Sequence, residues 1–432
     1  MPQKVVAPLE PTASPGPRTG NKTDRHKTVQ GPFIFINKID LPFGQLRSVE
    51  EREVTVSVIV GEAIAPKRWI GETVAELRLL SPFLLVVALY VLAVTAIGYI
   101  TGLNSHVELT LYTQAPGLSM SVGAPLALVI YYLYLMIVAR EKQPIARMGR
   151  DFKAYIIAPS ALIGLTVPII AISYFASAFS SFKGMIGTLN PFYLDAALAK
   201  ADQFIHFGVQ PWRITHFFFH DFASAMTINF AYNLWFFIVW GYAFCQIFGL
   251  AGRLHRAQYL LSFVLCWVVV GSVLAVILSS AGPCYFGRIT GLPDPFAPLM
   301  KQLYAMDAPH LASGSYWHLW SLSVQETLWN EQFQSTTSIG SGISAMPSMH
   351  VSMASMMAFS AMKISKWFGR VMLAYAILIS FGSVYLGWHY AVDGYVSIAV
   401  TYLIWRFSGH IVDRLNSEPS KFFSRASIEP AV

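Results

Sequence analysis

The chain has 432 residues, of which 55% are hydrophobic and only 12% are charged, against about a quarter charged in soluble domains. That composition excludes a soluble globular protein and places the chain in a membrane. The formal charge of +7 does not point to nucleic acid, because the basic residues fall in short clusters between apolar segments, the pattern of cytoplasmic loops.

Residues 1–30 are polar and rich in Pro, Gly and Thr. They lack the apolar core of a cleavable signal peptide and read as a disordered cytoplasmic tail. Residues 31–80 are mixed and read as a cytoplasmic or interfacial segment, in which 54–60 fits either a short strand or an interfacial stretch. A spanning helix needs about 20 mainly apolar residues. Eight stretches qualify: 82–102, 118–138, 155–179, 225–248, 260–280, 347–364, 371–386 and 390–407. The partition is N-terminal transmembrane helices over 81–180, a catalytic membrane domain over 181–410 and a cytoplasmic tail over 411–432.

The loops orient these helices. Arg140, Lys142, Arg147, Arg150 and Lys153 follow the second, and Arg253 and Arg256 follow the fourth. Lys363, Lys366 and Arg370 follow the sixth; Arg406, Arg414, Lys421 and Arg425 close or follow the eighth. The loop after the first has no Lys or Arg, and the long loop after the fifth has only Arg288 and Lys301. The positive-inside rule then puts both termini in the cytoplasm. Two outer segments are long. Within 180–224, residues 194–205 form an amphipathic pattern expected to lie as a helix on the membrane face. Residues 281–346 are rich in Gly, Pro and aromatics and read as a long loop without strong secondary structure, a lid or binding element.

Cys245, Cys266 and Cys284 do not make a disulfide framework. The first two read as packing residues and Cys284 as an unpaired outer thiol. His216 and His220 have a metal-compatible i, i+4 spacing, but no third ligand or H-E-x-x-H glutamate accompanies them. They read as interfacial anchors. Met349, Met353, Met356 and Met357 read as a flexible packing stripe. Trp317, His318, Glu326 and Glu331 are candidates for head-group contact. There is no phosphate-binding Walker loop, dinucleotide fingerprint or zincin motif, so no cofactor and no metal is expected.

Two segments carry chemistry. Pro347-Ser348-Met349-His350 opens the sixth helix. Its first N–H groups have no helical partner and face an anion favourably. Ser348 adds a hydroxyl, and His350 stands beside it. His389-Tyr390-Ala391-Val392-Asp393 opens the eighth, with His389 and Asp393 on one helical face. A carboxylate beside an imidazole fixes its tautomer and stabilises the imidazolium. Each segment also admits a plain reading: an ordinary helix start, and a helix-start pair that only satisfies itself. Counting helices puts both on the same side of the membrane.

Together the two segments resemble the motifs of the type 2 phosphatidic-acid phosphatase superfamily, P-S-G-H followed by S-R-x5-H-x3-D. The resemblance covers the last three helices and, more weakly, the fifth. It implies a six-helix phosphatase-type core, which the count of spans places within an all-α integral membrane protein of about eight transmembrane helices. It further implies metal-independent chemistry through a phospho-histidine. By the resemblance His389 is the nucleophile, Asp393 its orienting partner and His350 the acid that protonates the leaving group. Met349 replaces the motif Gly, and Ser383 the motif Arg. No K-x6-R-P precedes the outer loop. Met at the motif Gly, and Ala281-Gly282-Pro283-Cys284-Tyr285-Phe286-Gly287-Arg288 closing the fifth helix, are closer to the inositol phosphorylceramide synthase branch. Arg288 is then a candidate replacement phosphate ligand beside Ser348 and Met349, although it also fits an ordinary loop charge.

The expected activity moves a phosphoryl or phospho-head-group from a lipid phosphoester donor to a lipid or polyol acceptor, on the extracytoplasmic or lumenal face of a bilayer. The alternatives are a lipid phosphate phosphatase using the same site with water, a membrane transporter, and a lipid-binding scaffold.

Overall fold

The computed structural model describes residues 66–112, 125, 128–157, 159–249, 251–334 and 342–417. The expected tail over 1–30, the 54–60 segment, the start of the second predicted span and the last fifteen residues lie outside them. Among the described residues there are helices and no strands. In chain order these are α1 (Pro66–Ile100), α2 (Leu128–Ile137), α3 (Pro144–Ile157), α4 (Pro159–Leu189), α5 (Asp195–Ile205), α6 (Pro211–Phe218) and α7 (Phe222–Ile247). Then come α8 (Arg253–Ile277), α9 (Phe286–Thr290), α10 (Ala297–Ala312), α11 (Trp320–Gln334), α12 (Met349–Ile364), α13 (Lys366–Tyr385) and α14 (Ala391–Ser417).

Five of these are long and apolar enough to cross a membrane: α4, α7, α8 and α13 over most or all of their length, and Ile70–Ile100 of α1. They match the first, third, fourth, fifth and seventh predicted spans. The protein is an all-α membrane protein. The helices overrun the predicted bounds, because hydropathy marks the bilayer-embedded length while hydrogen bonding continues into water. Thus α1 starts at Pro66, inside the segment assigned to the cytoplasm or interface, and α14 runs to Ser417, past the predicted domain edge at 410. The sixth predicted span, α12, has only 16 residues. The expectation of an outer loop over 281–346 without secondary structure is incorrect. Three helices, α9, α10 and α11, occupy most of it, begun by Pro and aromatic residues that the composition had suggested were loop-forming.

α12 is the centre of the bundle. It packs on α13, α14, α8 and α7, and Ser352, Ala354, Ser355, Ala358, Ser360 and Ala361 are all buried along it. Small residues let helix backbones approach where lipid removes the hydrophobic drive between helices. Polar ties add to this packing. Ser352 Oγ and Thr401 Oγ1 are 2.7 Å apart, and Tyr242 donates to Ser360 Oγ at 2.8 Å. Such bonds contribute about 0.6 kcal/mol each on average. At the end of the bundle away from the Pro347 and His389 segments, Glu76 of α1 is buried against Arg256 and bonds Arg253 Nε at 2.7 Å. Lys363 Nζ donates to Gln258 Oε1 at 2.7 Å there.

α8 is interrupted by a π-helical stretch, Val269–Leu274. Gly271 in it lies under Phe179 and Met349, so that an added Cβ would stand 2.9 Å from Phe179 and 3.0 Å from the Met349 sulfur. The wider turn seats the start of α12 on α8.

α5 forms where the amphipathic pattern predicts a helix, but its buried face carries both aspartates, Asp195 and Asp202. Phe204 and Phe207 point outward, 86% and 98% exposed. In α6, His216 is buried with its ring stacked 4.0 Å from Tyr385, and Nε2–H donates to the Tyr385 carbonyl at 2.9 Å. His220 lies past the end of α6 and is exposed, so the pair does not converge on one point. Burial pushes the His216 imidazole below its ordinary value, the hydrogen bond to Tyr385 opposing it. The folded state therefore favours the neutral ring. Its contribution is present above the unfolded value of about 6.5 and is lost as pH falls from there towards the folded value. Melting of the detergent-solubilised protein between pH 7.5 and 5 should show stability declining on acidification, and His216→Phe should flatten that slope.

Candidate active site

Six helices supply the site: the ends of α4, α8 and α13, the starts of α12 and α14, and the middle of α7. The Pro347 and His389 segments meet there. Ser348 is the N-cap of α12. It is fully buried, and its Oγ accepts from Val351 N at 3.4 Å. That leaves the N–H groups of Met349 and His350 at the open start of the helix, where an anion is favoured. Ser348 N donates to the Asp393 carbonyl at 3.5 Å, joining the two motif segments directly.

His389 is buried in the turn between α13 and α14. Its Nδ1 is 2.8 Å from the Ala345 carbonyl oxygen and 3.5 Å from Asp393 Oδ2. A carbonyl and a carboxylate only accept, so the proton sits on Nδ1 and Nε2 carries the lone pair. Asp393 is fully buried, and its Oδ2 also accepts from Tyr390 N at 3.0 Å. That second bond is the backward half of a helix capping box. Asp393 thus fills both roles allowed by the sequence, cap and imidazole partner. The Ala345 carbonyl is a nearer acceptor that no side-chain pattern reveals.

The rings of His350 and His389 have centroids 5.9 Å apart. His350 is held between Tyr232 and Trp235 of α7, with ring centroids at 4.5 and 4.2 Å, and its carbonyl accepts from Trp235 Nε1 at 3.0 Å. A reacting phosphorus needs about 3 Å from its nucleophile, and a leaving oxygen about 3 Å from its acid. Two rings at this separation can flank one phosphoryl group.

The cations are arranged differently from the resembled motif. Ser383, where the motif has Arg, turns its hydroxyl back to the Ser380 carbonyl, and its own carbonyl accepts from Trp388 N and His389 N. The position holds the turn. Lys183 is followed at the motif spacing by Asn190-Pro191, so the Lys and Pro of K-x6-R-P are present and only its Arg is replaced. Asn190 ties the end of α4 to α8, donating to the Val276 carbonyl at 2.7 Å. Lys183 lies near the site and interacts electrostatically with His350 and with Glu331 of α11. A single lysine within an apolar helix is itself a signal of function, and the sequence reading missed it.

Arg288 is on α9, which is pinned to the His389 turn. Cys284 N donates to the Gly387 carbonyl at 2.9 Å, and Gln325 Nε2 to the Leu386 carbonyl at 3.0 Å. The guanidinium itself is engaged by both oxygens of Glu326 and lies 5.2 Å over the Trp329 ring. Arg288 in turn holds the Glu326 carboxyl below its ordinary range. A phosphate reaching Arg288 has to displace Glu326. Among the other head-group candidates, Trp317 is largely exposed and His318 Nδ1 is 3.8 Å from Asp307 Oδ2. Met353, Met356 and Met357 are fully buried in the helix packing. All three cysteines are free, with Cys245 and Cys266 buried and Cys284 half-buried. Among the described residues no three His, Cys, Asp or Glu side chains are grouped to hold a metal ion.

Fold and site together define a class: a multi-pass α-helical membrane protein with two histidines and a carboxylate gathered at one end of its bundle. Residues 196–407, just under half of the chain, match the family model of the PAP2 superfamily, which supports that superfamily for this segment. The match suggests phosphoester hydrolase or transferase chemistry on lipid-like substrates. No curated protein and no solved structure matches the chain.

Proposed function

We propose that the protein is a lipid phosphotransferase close to the inositol phosphorylceramide synthase branch, working through a phospho-histidine on the extracytoplasmic face. The observation that carries this reading is the His350–His389 pair at 5.9 Å, with the His389 proton held on Nδ1 by Ala345 and Asp393. The lone pair of His389 Nε2 attacks phosphorus. The bond to the donor oxygen breaks, and His350 gives that oxygen a proton. Asp393 stabilises the positive charge that develops on the His389 ring. The N–H groups of Met349 and His350, the Ser348 hydroxyl and Lys183 hold the phosphoryl oxygens, and Arg288 joins them once the substrate displaces Glu326. An acceptor hydroxyl then gives its proton to His350 and attacks phosphorus, and the P–N bond breaks.

Sidedness rests on charge. Arg253, Arg256, Lys363, Lys366 and Arg370 lie at the end of the bundle opposite the site, and the positive-inside rule makes that end cytoplasmic. Transfer is favoured over hydrolysis by the replacement of both motif arginines and by the helical cover of α9–α11 beside the site.

Purified protein given labelled phospholipids with chelator, with and without hydroxyl acceptors, tests the reading by mass spectrometry. The expected product is a new phospholipid that depends on the acceptor and is absent with His389→Gln. Free phosphate released regardless of acceptor identifies a phosphatase. No turnover of any lipid returns the transporter and binding readings.

A further inference from the structure

α5 lies outside both motif segments, yet its buried face reaches the catalytic turn twice. Asp195 and Asp202 are seven residues apart, two helical turns on one face, and each is 1% exposed. Asp202 Oδ2 accepts from Ala391 N at 2.7 Å and Oδ1 from Val392 N at 2.9 Å. These are the first two N–H groups of α14, two and three residues after His389. Asp195 accepts from Ser280 Oγ at 3.0 Å, Ala281 N at 2.9 Å, Gly282 N at 2.8 Å and the Tyr390 hydroxyl at 2.9 Å. The Ser280 carbonyl accepts from Ala345 N at 2.8 Å. The Ala345 carbonyl is the acceptor for His389 Nδ1. One carboxylate thus fixes the backbone that follows the histidine. The other fixes the strip that aims the histidine's acceptor. His206 at the end of α5 completes the attachment, with Nδ1–H on the Asp202 carbonyl at 2.7 Å and Nε2 accepting from Tyr395 of α14 at 2.9 Å.

We propose that Asp195 and Asp202 are positioning residues for the His389 nucleophile, and that α5 is the element that aligns its imidazole and supports its proton affinity from behind. This inference rests on the reading of His389 as nucleophile given above. The geometry accounts for burying two carboxylates in one short helix. Their side-chain oxygens accept from Ser280, Ala281 and Gly282 behind the Ala345 strip and from Tyr390, Ala391 and Val392 after His389, and charged acceptors on N–H groups are among the stronger hydrogen bonds. Burial pushes the Asp202 carboxyl up, while the Ala391 and Val392 N–H groups draw it back. Its charge also acts on Asp393. The titratable groups around His389 are Asp393 and Tyr390 beside it, Asp195 and Asp202 from α5, His350 from α12, Lys183 from α4, and Cys284 from the segment before α9. Within this set Asp202 adds negative charge behind the His389–Asp393 pair, and negative charge raises imidazole proton affinity.

The test is a pH titration by carbon NMR of the full chain in detergent, labelled at histidine Cε1, with the His389 signal assigned by its loss in His389→Gln. Asp202→Asn keeps the outline, removes the charge and leaves one acceptor oxygen for the two N–H groups of Ala391 and Val392. Its expected effect is a His389 midpoint lower by about half a pH unit or more, with Asp202→Glu returning it towards wild type. Ala391→Pro deletes one N–H to Asp202 at a helix position that accepts proline. It is expected to lower kcat about ten-fold at unchanged KM, the loss being one of alignment, and it is measured on whichever labelled lipid the wild type turns over. An Asp202→Asn protein that melts like wild type and keeps the wild-type midpoint overturns the proposal. If Asp202→Asn does not fold, Ala391→Pro at full kcat overturns it instead. If the wild type turns over no lipid, the functional reading fails, and the titration still decides whether α5 supports the histidine.

Discussion

His389→Gln abolishes turnover, with an expected loss on the order of 10⁴–10⁶-fold, about 5–8 kcal/mol of transition-state stabilisation. The size follows from what the side chain supplies. Nε2 is the only atom of this ring free to bond phosphorus, since Nδ1–H is committed to Ala345 and Asp393. Glutamine can keep a donor towards Ala345 and fill the buried site, but its amide does not form a stable bond to phosphorus. No rescue is expected from a better leaving group, because the missing step is bond formation. Phospho-enzyme trapping with labelled donor should mark wild type at His389 and leave the variant unlabelled. A variant that still labels, or turns over within a few-fold of wild type, assigns the nucleophile elsewhere.

His350→Phe separates the second histidine from the first. Phenylalanine keeps the stack between Tyr232 and Trp235, so the site retains its shape while losing its acid. With a lipid donor the departing alkoxide needs a proton, and the expected loss is about 10²–10⁴-fold. With a 4-nitrophenyl phosphoester the departing phenolate is stable unprotonated. Phospho-enzyme formation should then recover to within about ten-fold of wild type, while His389→Gln stays inactive. Equal loss on both donors removes His350 from the role of acid.

The sequence made the class legible, because composition and apolar run lengths report burial in lipid directly. It also made the grouping of His350, His389 and Asp393 legible, since two helix starts with imidazoles at the same end of a bundle form a readable pattern. Helix ends were less so. Hydropathy stops at the lipid boundary, whereas α1 and α14 continue beyond it. The helices of 281–346 are hidden because Pro283 and Pro298 stand at or near helix starts, where they begin helices rather than break them, while Pro309 falls in the last turn of α10. The amphipathic pattern of 194–205 fits a helix on the membrane face and does not show where Asp195 and Asp202 point. Only the fold shows that their side chains turn inward to backbone N–H groups distant in sequence. The Ala345 carbonyl left no trace at all, because a backbone acceptor has no residue signature.

The length of α12 bears on how the protein is built. Sixteen residues rise about 24 Å, short of the roughly 30 Å of hydrocarbon, and most of them are buried by neighbouring helices. A segment like this has little to gain from lipid alone. It enters with α13, from which only Ser365 separates it, and gains its surroundings when α14 closes over it. A chain lacking α14 therefore lacks Asp393 and leaves α12 without one of the four helices that bury it.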